Sequence, residues 1–215
     1  MSYVKVLPET AASVASRLLE IGAIKLNYKQ PFTWSSGWKS PIYCDNRLAL
    51  SYPAIRTFIK EKLATGIQSN FPEVECIAGV ATAGIPQGAL VADMLGLPFV
   101  YVRPKPKDHG MGNLIEGKVD KGTKVVLVED LISTGGSSLK AAQAMTEAGG
   151  KVIGMAAIFT YGFETAAENF AEAKIQLFCL SDFNHMLEVA LKQNFLDETQ
   201  LIYVKSWRLD PANWK

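Results

Sequence analysis

The sequence of 215 residues contains few of the residues that cross-link a chain or bind metal ions. It has three cysteines and two histidines. The cysteines Cys44, Cys76 and Cys179 are far apart, odd in number and without Cys-x-x-Cys spacing, which argues against a disulfide framework and against a zinc site. We therefore expect reduced, buried thiols.

The sequence also lacks long apolar runs and an excess of charge. No run approaches 18 apolar residues, and the first residues contain no signal-peptide core, so we expect a cytoplasmic protein without a membrane partner. The net charge of +1 argues against a nucleic-acid partner bound through bulk charge. A hydrophobic content of 48% and a charged content of 20% are ordinary for a globular protein, and we predict a single domain over residues 1–215.

Two common nucleotide-binding motifs are missing. The chain has neither the lysine-bearing Walker loop nor the G-x-G-x-x-G of dinucleotide sites, so a nucleoside triphosphatase is not indicated. Residues 125–138 show a different pattern. Four consecutive aliphatic residues, 125–128, predict a strand buried on both faces that ends at Glu129 and Asp130. The alanine-rich residues 139–148 predict a helix after an intervening turn.

The turn before this helix has the composition of a phosphate site. The first turn of a helix has unpaired N–H groups and the positive end of the helix dipole. Gly135 and Gly136 allow a ligand to approach the backbone closely. Hydroxyl groups come from Ser133, Thr134, Ser137 and Ser138. The two acids would repel a phosphate but suit neutral hydroxyls or a metal ion, which favours a sugar diol beside a phosphate. The alternative is an ordinary turn capped by Ser and Thr.

The rest of the chain alternates between predicted strands and helices. This alternation predicts an α/β fold with an open, mostly parallel sheet flanked by helices, whose core spans residues 74–180. A hairpin within residues 31–45 precedes the core, and its aromatic residues suit a small core or a pocket lid. The predicted helices are 9–21, 52–68 capped by Ser51, 85–95, 164–173 and 182–193 capped by Ser181, and the predicted strands are 74–80, 98–103, 151–160 and 175–179.

Residues 104–117 interrupt the pattern with prolines, glycines and cations. A loop of this length inside a compact domain is usually a lid or a binding loop, and the alternative is a disordered surface excursion. Residues 79–86 form a second small-residue turn after a strand. Because ligands of open α/β sheets bind at the carboxyl ends of strands, the backbone of this turn is a candidate for contact with a diphosphate.

The segment 125–138 resembles the phosphoribosyl-diphosphate (PRPP) motif of the type I phosphoribosyltransferases. In that family two acids hold the ribose 2- and 3-hydroxyls, and the following loop holds the 5-phosphate. The resemblance implies the type I phosphoribosyltransferase fold. It also implies that PRPP contacts Arg103, Lys107, His109, Glu129, Asp130, Leu131, Ile132, Ser133, Thr134, Gly135, Gly136 and Ser137.

Two further segments resemble the orotate phosphoribosyltransferase family within this class. Residues 103–117 are similar to its catalytic loop, and residues 32–43 to its amino-terminal hood, which we place within residues 1–50. The resemblance implies transfer of phosphoribose from PRPP to orotate in pyrimidine synthesis. Lys107 and His109 of the mobile loop 104–117 are then catalytic, Mg²⁺ is the cofactor and Ser133 contacts orotate. It also implies a homodimer, because in the family this loop serves the partner subunit.

The chain departs from that family at several positions. Some members have a lysine at the position of Ser35, a Tyr-Lys pair at Thr82 and Ala83, a lysine at Pro104, and an arginine after the strand that ends near Tyr161. Diphosphate contacts would then fall more heavily on Arg103, Lys105 and Lys107, and orotate would rely on Ser133 and main-chain groups. A purine phosphoribosyltransferase and a PRPP-sensing regulator without catalysis are the alternative functions.

Overall fold

The computed structural model describes residues 2–34, 37–105 and 114–214. Its main feature is a seven-stranded sheet in the order β1-β11-β10-β9-β6-β7-β8, in which every neighbouring pair is parallel except β7 and β8. This confirms the predicted open, mostly parallel sheet. Its strands are β1 Val4–Val6, β6 Cys76–Val80, β7 Phe99–Val102, β8 Ile115–Glu116, β9 Lys124–Ile132, β10 Lys151–Thr160 and β11 Leu177–Asp182.

Helices cover both faces of this sheet and enclose two separate apolar cores. One core lies against α1, α2, α3, α6 and α7 and includes Leu63, Phe178 and Trp207. The other lies against α4 and α5 and includes Met145 and Phe170. The helices are α1 Pro8–Glu20, α2 Pro53–Asn70, α3 Gly84–Leu95, α4 Gly136–Glu147, α5 Glu164–Glu172, α6 Phe183–Lys192 and α7 Glu198–Leu209.

Strand β9 is central to the sheet, as its aliphatic run predicts. Residues 125–128 are fully buried, and β9 pairs with β10 on one side and β6 on the other. The predicted end of the strand was wrong. The strand continues through Glu129 and Asp130 to Ile132, because β10 still pairs with it at Leu131 and Ile132. The two acids are therefore held by sheet hydrogen bonding rather than by a loop.

Two predicted helix caps were also wrong. Ser51 belongs to a short 3₁₀ helix, Asn46–Ser51, and α2 begins after Tyr52 without a side-chain cap. Ser181 lies in β11, where its buried hydroxyl donates to the carbonyl of Ala11 at 2.8 Å. Asp182 caps α6 instead, since its carboxylate accepts from the His185 N–H at 2.9 Å.

The hood consists of two small antiparallel ladders. Strands β2 Ile24–Leu26 and β5 Ile42–Cys44 pair with each other, as do β3 Phe32–Thr33 and β4 Lys39–Ser40. The second pair confirms the predicted hairpin, whose turn residues 35 and 36 lie outside the described residues.

Helix α7 fastens the carboxyl-terminal segment to the hood. The Trp207 indole N–H donates to the carbonyl of Lys39 at 3.0 Å, and the Trp207 ring lies edge-on to Trp34, with 5.4 Å between centroids. This helix was not among the predicted elements, and it begins with a capping box formed by Asp197 and Gln200.

The remaining expectations concern thiols and membrane spans. Cys76 and Cys179 are buried free thiols, as predicted, whereas Cys44 is only partly buried. Within the described ranges, none of the helices combines the length and the apolar composition needed to cross a bilayer.

We predict that Trp207→Phe lowers the free energy of unfolding by about 1 to 3 kcal/mol, because it leaves the carbonyl of Lys39 without the indole donor and reduces the packed volume. Urea denaturation followed by circular dichroism measures the change. Trp214→Phe is the matched control, because the Trp214 indole donates only to the exposed Ser206 hydroxyl at 3.3 Å. Equal losses in the two variants would contradict a specific role for Trp207.

Candidate active site

Two cavities flank the segment that joins β9 to α4. The first, the hood cavity, has a volume of about 590 Å³ and lies between the hood and the strand ends. The second, the α4 cavity, has a volume of about 560 Å³ and lies between α4 and β7. Ser133 and Thr134 line the hood cavity, whereas Gly136 and Ser137 line the α4 cavity. The predicted phosphate loop therefore separates two spaces large enough for small ligands.

The carboxyl group of Glu129 is buried, and each of its two oxygens accepts one hydrogen bond from the chain. Glu129 is 6% exposed. Its Oε1 accepts from the Asp130 N–H and its Oε2 from the Ser138 hydroxyl, both at 3.0 Å. Burial first, and then the charge of Asp130, hold the pKa of Glu129 well above its ordinary value of 4.5. Ser138, which the sequence offered as a phosphate donor, thus binds the acid.

Asp130 is the more accessible of the two acids. Burial raises the pKa of its carboxyl group as well, while hydrogen bonding from Glu129 and the charge of Arg47 oppose the rise. Asn46 fixes its main chain, since Asn46 Nδ2 donates to the carbonyl of Asp130 at 2.7 Å. Sequence reasoning missed Asn46, which is 1% exposed and also accepts from the Cys44 thiol at 3.3 Å. Asn46 thereby links β5 of the hood to the acidic end of β9.

Helix α4 begins three residues earlier than predicted. Its first residue is Gly136, and its N-cap is Gly135 with φ +80°. The bond from the Leu139 N–H to the Gly135 carbonyl, 2.9 Å long, is the first of the helical pattern, so the N–H groups of residues 136–138 precede it. These amides and the helix dipole converge on the loop, which strengthens the case for an anion at this position.

Helix α5 supports the loop from behind. Asn169 Nδ2 donates to the carbonyl of Thr134 at 2.9 Å. Gly135 is packed so tightly that a Cβ atom there would lie 2.7 Å from the Phe170 ring. Both contacts were missed, because nothing in the local pattern of residues 164–172 distinguishes them from an ordinary amphipathic helix.

The cations predicted for the diphosphate are only partly described. Arg103 follows β7 and lines the α4 cavity, with Nη1 at 3.6 Å from Glu116 Oε1. Lys105 is exposed at the beginning of the loop. Lys107 and His109 lie outside the described residues. Lys140, which was not predicted, also lines the α4 cavity.

The remaining predicted contacts differ in accessibility. Leu131 contributes to the wall of the hood cavity, whereas Ile132 is fully buried and its carbonyl accepts from the Tyr161 N–H at 3.1 Å. In the turn before α3, Val80 and Ala81 line the α4 cavity. Gly84 has a packing role, since a Cβ atom there would lie 2.3 Å from the carbonyl oxygen of Val128. Contact between this turn and a diphosphate stays a prediction.

Four aromatic side chains form part of the wall of the hood cavity. Trp34, Trp38, Tyr43 and Tyr161 line it together with Cys44 and Thr33. Trp34 packs on Tyr161 with 4.8 Å between centroids, and Tyr161 packs edge-on to Trp207 at 5.8 Å. The hood aromatics therefore serve both uses considered from the sequence, as a small core and as a pocket wall. A flat ring would find stacking partners here.

Two acids at the end of a central parallel strand, followed by the N-terminus of a helix, are an arrangement typical of α/β proteins that bind nucleotides. Residues 47–186 match the family model described as the phosphoribosyl transferase domain, and the chain belongs to this family.

Its relatives include orotate phosphoribosyltransferases. The chain is 55% identical over 202 residues to the orotate phosphoribosyltransferase of Cytophaga hutchinsonii, which covers 94% of this chain and 97% of the relative. The crystal structure of orotate phosphoribosyltransferase from Aeropyrum pernix superposes with a TM-score of 0.75 at 29% identity, over 86% of this chain and 99% of that one. The crystal structure of adenine phosphoribosyltransferase from Leishmania tarentolae superposes with a TM-score of 0.66 at 20% identity, over 88% of this chain and 95% of that one. This chain therefore shares its fold.

We predict that Glu129→Gln raises the free energy of unfolding at pH 8 by about 1 to 3 kcal/mol, because burial disfavours the ionised carboxylate that the unfolded chain has at this pH. Since the folded pKa exceeds the unfolded value, wild-type stability falls as pH rises from about 4.5 through the folded pKa, and the gain should vanish near pH 4. The glutamine still accepts from the Asp130 N–H.

Urea denaturation at several pH values measures this effect. Glu61→Gln, at an exposed position of α2, is the control and should show no such pH dependence. A Glu129→Gln gain that is the same at pH 4 and pH 8 would show that the ionisation of Glu129 is not its cause.

Proposed function

We propose that the chain transfers the phosphoribosyl group of PRPP to orotate, which yields orotidine 5′-monophosphate and diphosphate in pyrimidine synthesis. The observation that carries the proposal is the joint position of the acids Glu129 and Asp130 and the amino-terminal turn of α4, between two cavities at the carboxyl edge of the sheet. The identity with orotate phosphoribosyltransferases over nearly the whole chain supports it. Residues 1–215 act as a single phosphoribosyltransferase domain.

In this proposal the PRPP ribose binds to the acidic end of β9. Asp130 accepts hydrogen bonds from the ribose hydroxyls, and Glu129, whose oxygens each already accept one bond, has a second lone pair for the same purpose. The amides and hydroxyls of residues 133–137 bind the 5-phosphate, because they combine unpaired N–H groups with the positive end of the α4 dipole.

Orotate occupies the hood cavity. Its planar ring packs against the aromatic wall, and the Ser133 hydroxyl and main-chain groups of the cavity bind its polar edge. The ring nitrogen then displaces diphosphate at the anomeric carbon of PRPP, through a transition state with oxocarbenium character, and no nucleophilic side chain is required.

The leaving diphosphate develops negative charge, which the cations of the mobile loop 104–117 stabilise. Lys107 and His109 have this role, and Arg103 and Lys105 add contacts at the beginning of the loop. Closure of the loop also excludes water, which would otherwise hydrolyse the activated ribose. In the homodimer that we propose, each loop serves the active site of the partner subunit. The dimer works in the cytoplasm.

The residues present fit a magnesium ion that is held mainly by the substrate. Within the described ranges, no group of three or more His, Cys, Asp or Glu side chains is arranged to hold a metal ion. Mg²⁺ commonly binds through one or two carboxylates together with substrate phosphates and water, and Glu129 and Asp130 meet that need. When bound, Mg²⁺ neutralises charge on the diphosphate.

Turnover with different bases tests the proposal directly. The pure protein is incubated with PRPP, Mg²⁺ and either orotate, adenine, guanine or xanthine, and diphosphate release is followed. Of the four bases, we expect only orotate to cause diphosphate release. Release with a purine but not orotate would indicate a purine phosphoribosyltransferase, and PRPP binding without release would indicate a regulator.

We predict that Asp130→Asn raises the KM for PRPP by about tenfold to a hundredfold, because an amide is a weaker acceptor for the ribose hydroxyls than a carboxylate. Initial rates at varied PRPP measure the change. Asp120→Asn, which alters an exposed carboxylate paired with Lys118, is the control and should leave the KM unchanged. Normal saturation of Asp130→Asn by PRPP would contradict the ribose assignment.

We predict that Lys107→Ala lowers kcat by about a hundredfold and leaves the affinity for PRPP within a few-fold, since the lost contact, about 3 kcal/mol, forms as the diphosphate leaves. Steady-state kinetics measure kcat, and titration of the protein with PRPP measures its affinity for PRPP. Lys118→Ala, at an exposed lysine after the loop, is the matched control. An unchanged kcat would remove Lys107 from the mechanism.

A further inference from the structure

The peptide group between Thr134 and Gly135 lies in the middle of the proposed phosphate loop. An anion needs the N–H groups of its loop turned toward it and the carbonyl oxygens turned away, because a carbonyl oxygen carries partial negative charge. The orientation of this peptide therefore decides whether the peptide itself attracts or repels a phosphate in the loop.

Asn169 of α5 fixes that orientation. Its side-chain amide donates to the Thr134 carbonyl at 2.9 Å, which turns the carbonyl toward α5. The peptide is trans, since Ala81–Thr82 is the one cis peptide bond among the residues that the structure describes. In a planar trans peptide the C=O and N–H point in opposite directions, so the Gly135 N–H points away from α5.

Phe170 restricts the residue that follows. Gly135 has φ +80°, which favours glycine, and the Phe170 ring fills the space beside its Cα. Phe170 is itself fully buried in the core beneath α4 and α5. The ring therefore limits the room in which this part of the loop could rearrange.

We propose that Asn169 is a positioning residue for the 5-phosphate: it holds the Thr134–Gly135 peptide with its N–H free for the anion, and Phe170 supports it. This inference rests on the proposed function, because it requires a phosphate at residues 133–137. Asn169 itself need not touch the substrate. Its contribution appears in the binding of phosphorylated ligands and not in the chemical step.

The test compares Asn169→Leu, which removes the donor while keeping a similar volume, with Thr165→Leu at an exposed position of the same helix. Titration calorimetry gives the dissociation constant of ribose 5-phosphate, and steady-state kinetics give kcat and both KM values. For Asn169→Leu we expect about a tenfold weaker ribose 5-phosphate affinity and a similar rise in the KM for PRPP. We expect kcat and the KM for orotate to stay within twofold, and Thr165→Leu to match wild type.

A second variant guards against a folding defect. Asn169→Ser is too short to reach the Thr134 carbonyl but places no apolar group on the helix, and it should weaken ribose 5-phosphate binding by a similar factor. Wild-type affinity for ribose 5-phosphate in both variants would overturn the inference. A fall in kcat and a rise in the KM for orotate as large as the rise in the KM for PRPP would also overturn it. A wild-type protein that does not bind ribose 5-phosphate would overturn the proposed function and the inference with it.

Discussion

The buried carboxyl group of Glu129 is the constraint on which the rest of the site depends. A carboxyl group at this depth is tolerable only when its oxygens have partners, and the Asp130 N–H and the Ser138 hydroxyl provide them at 3.0 Å. Because Ser138 lies in the first turn of α4, this contact joins the end of β9 to the start of the helix. The contact holds the positions that we propose for the ribose and the phosphate at a fixed spacing, at a cost in stability that burial of the acid implies.

Two asparagines from distant segments hold the main chain between these points. Asn46 from the hood side binds the carbonyl of Asp130, and Asn169 from α5 binds the carbonyl of Thr134. Each side-chain amide fixes the direction of the carbonyl to which it donates, and in the function that we propose the N–H groups and hydroxyls of the segment face the ligand. Support for the main chain of residues 130–134 therefore comes from two places, the hood side through Asn46 and helix α5 through Asn169.

The hood cavity shows how the chain manages without several cations that the family resemblance led us to expect. Some family members have an arginine after the strand that ends near Tyr161, and in this chain Tyr161 is buried against Trp34 and Trp207. Aromatic side chains therefore form part of the wall, and helix α7 supports it from behind through the Trp207 contact with Lys39. In the function that we propose, ring recognition in this cavity depends on shape and stacking, and Ser133 and the main chain supply the polar contacts.

The sequence by itself determined the parallel sheet, the alternation of strands and helices, the hairpin and the position of the acidic and hydroxyl-rich segment. These follow from local patterns: an aliphatic run such as residues 125–128 predicts a buried strand wherever it occurs. Tertiary structure decided that β9 continues through both acids, because only the partner strand β10 extends the pairing that far. It also decided the roles of Asn46, Asn169 and Trp207, whose partners are 84, 35 and 168 residues away in the chain. Contacts across such distances leave no local pattern, since they arise only when the folded elements meet.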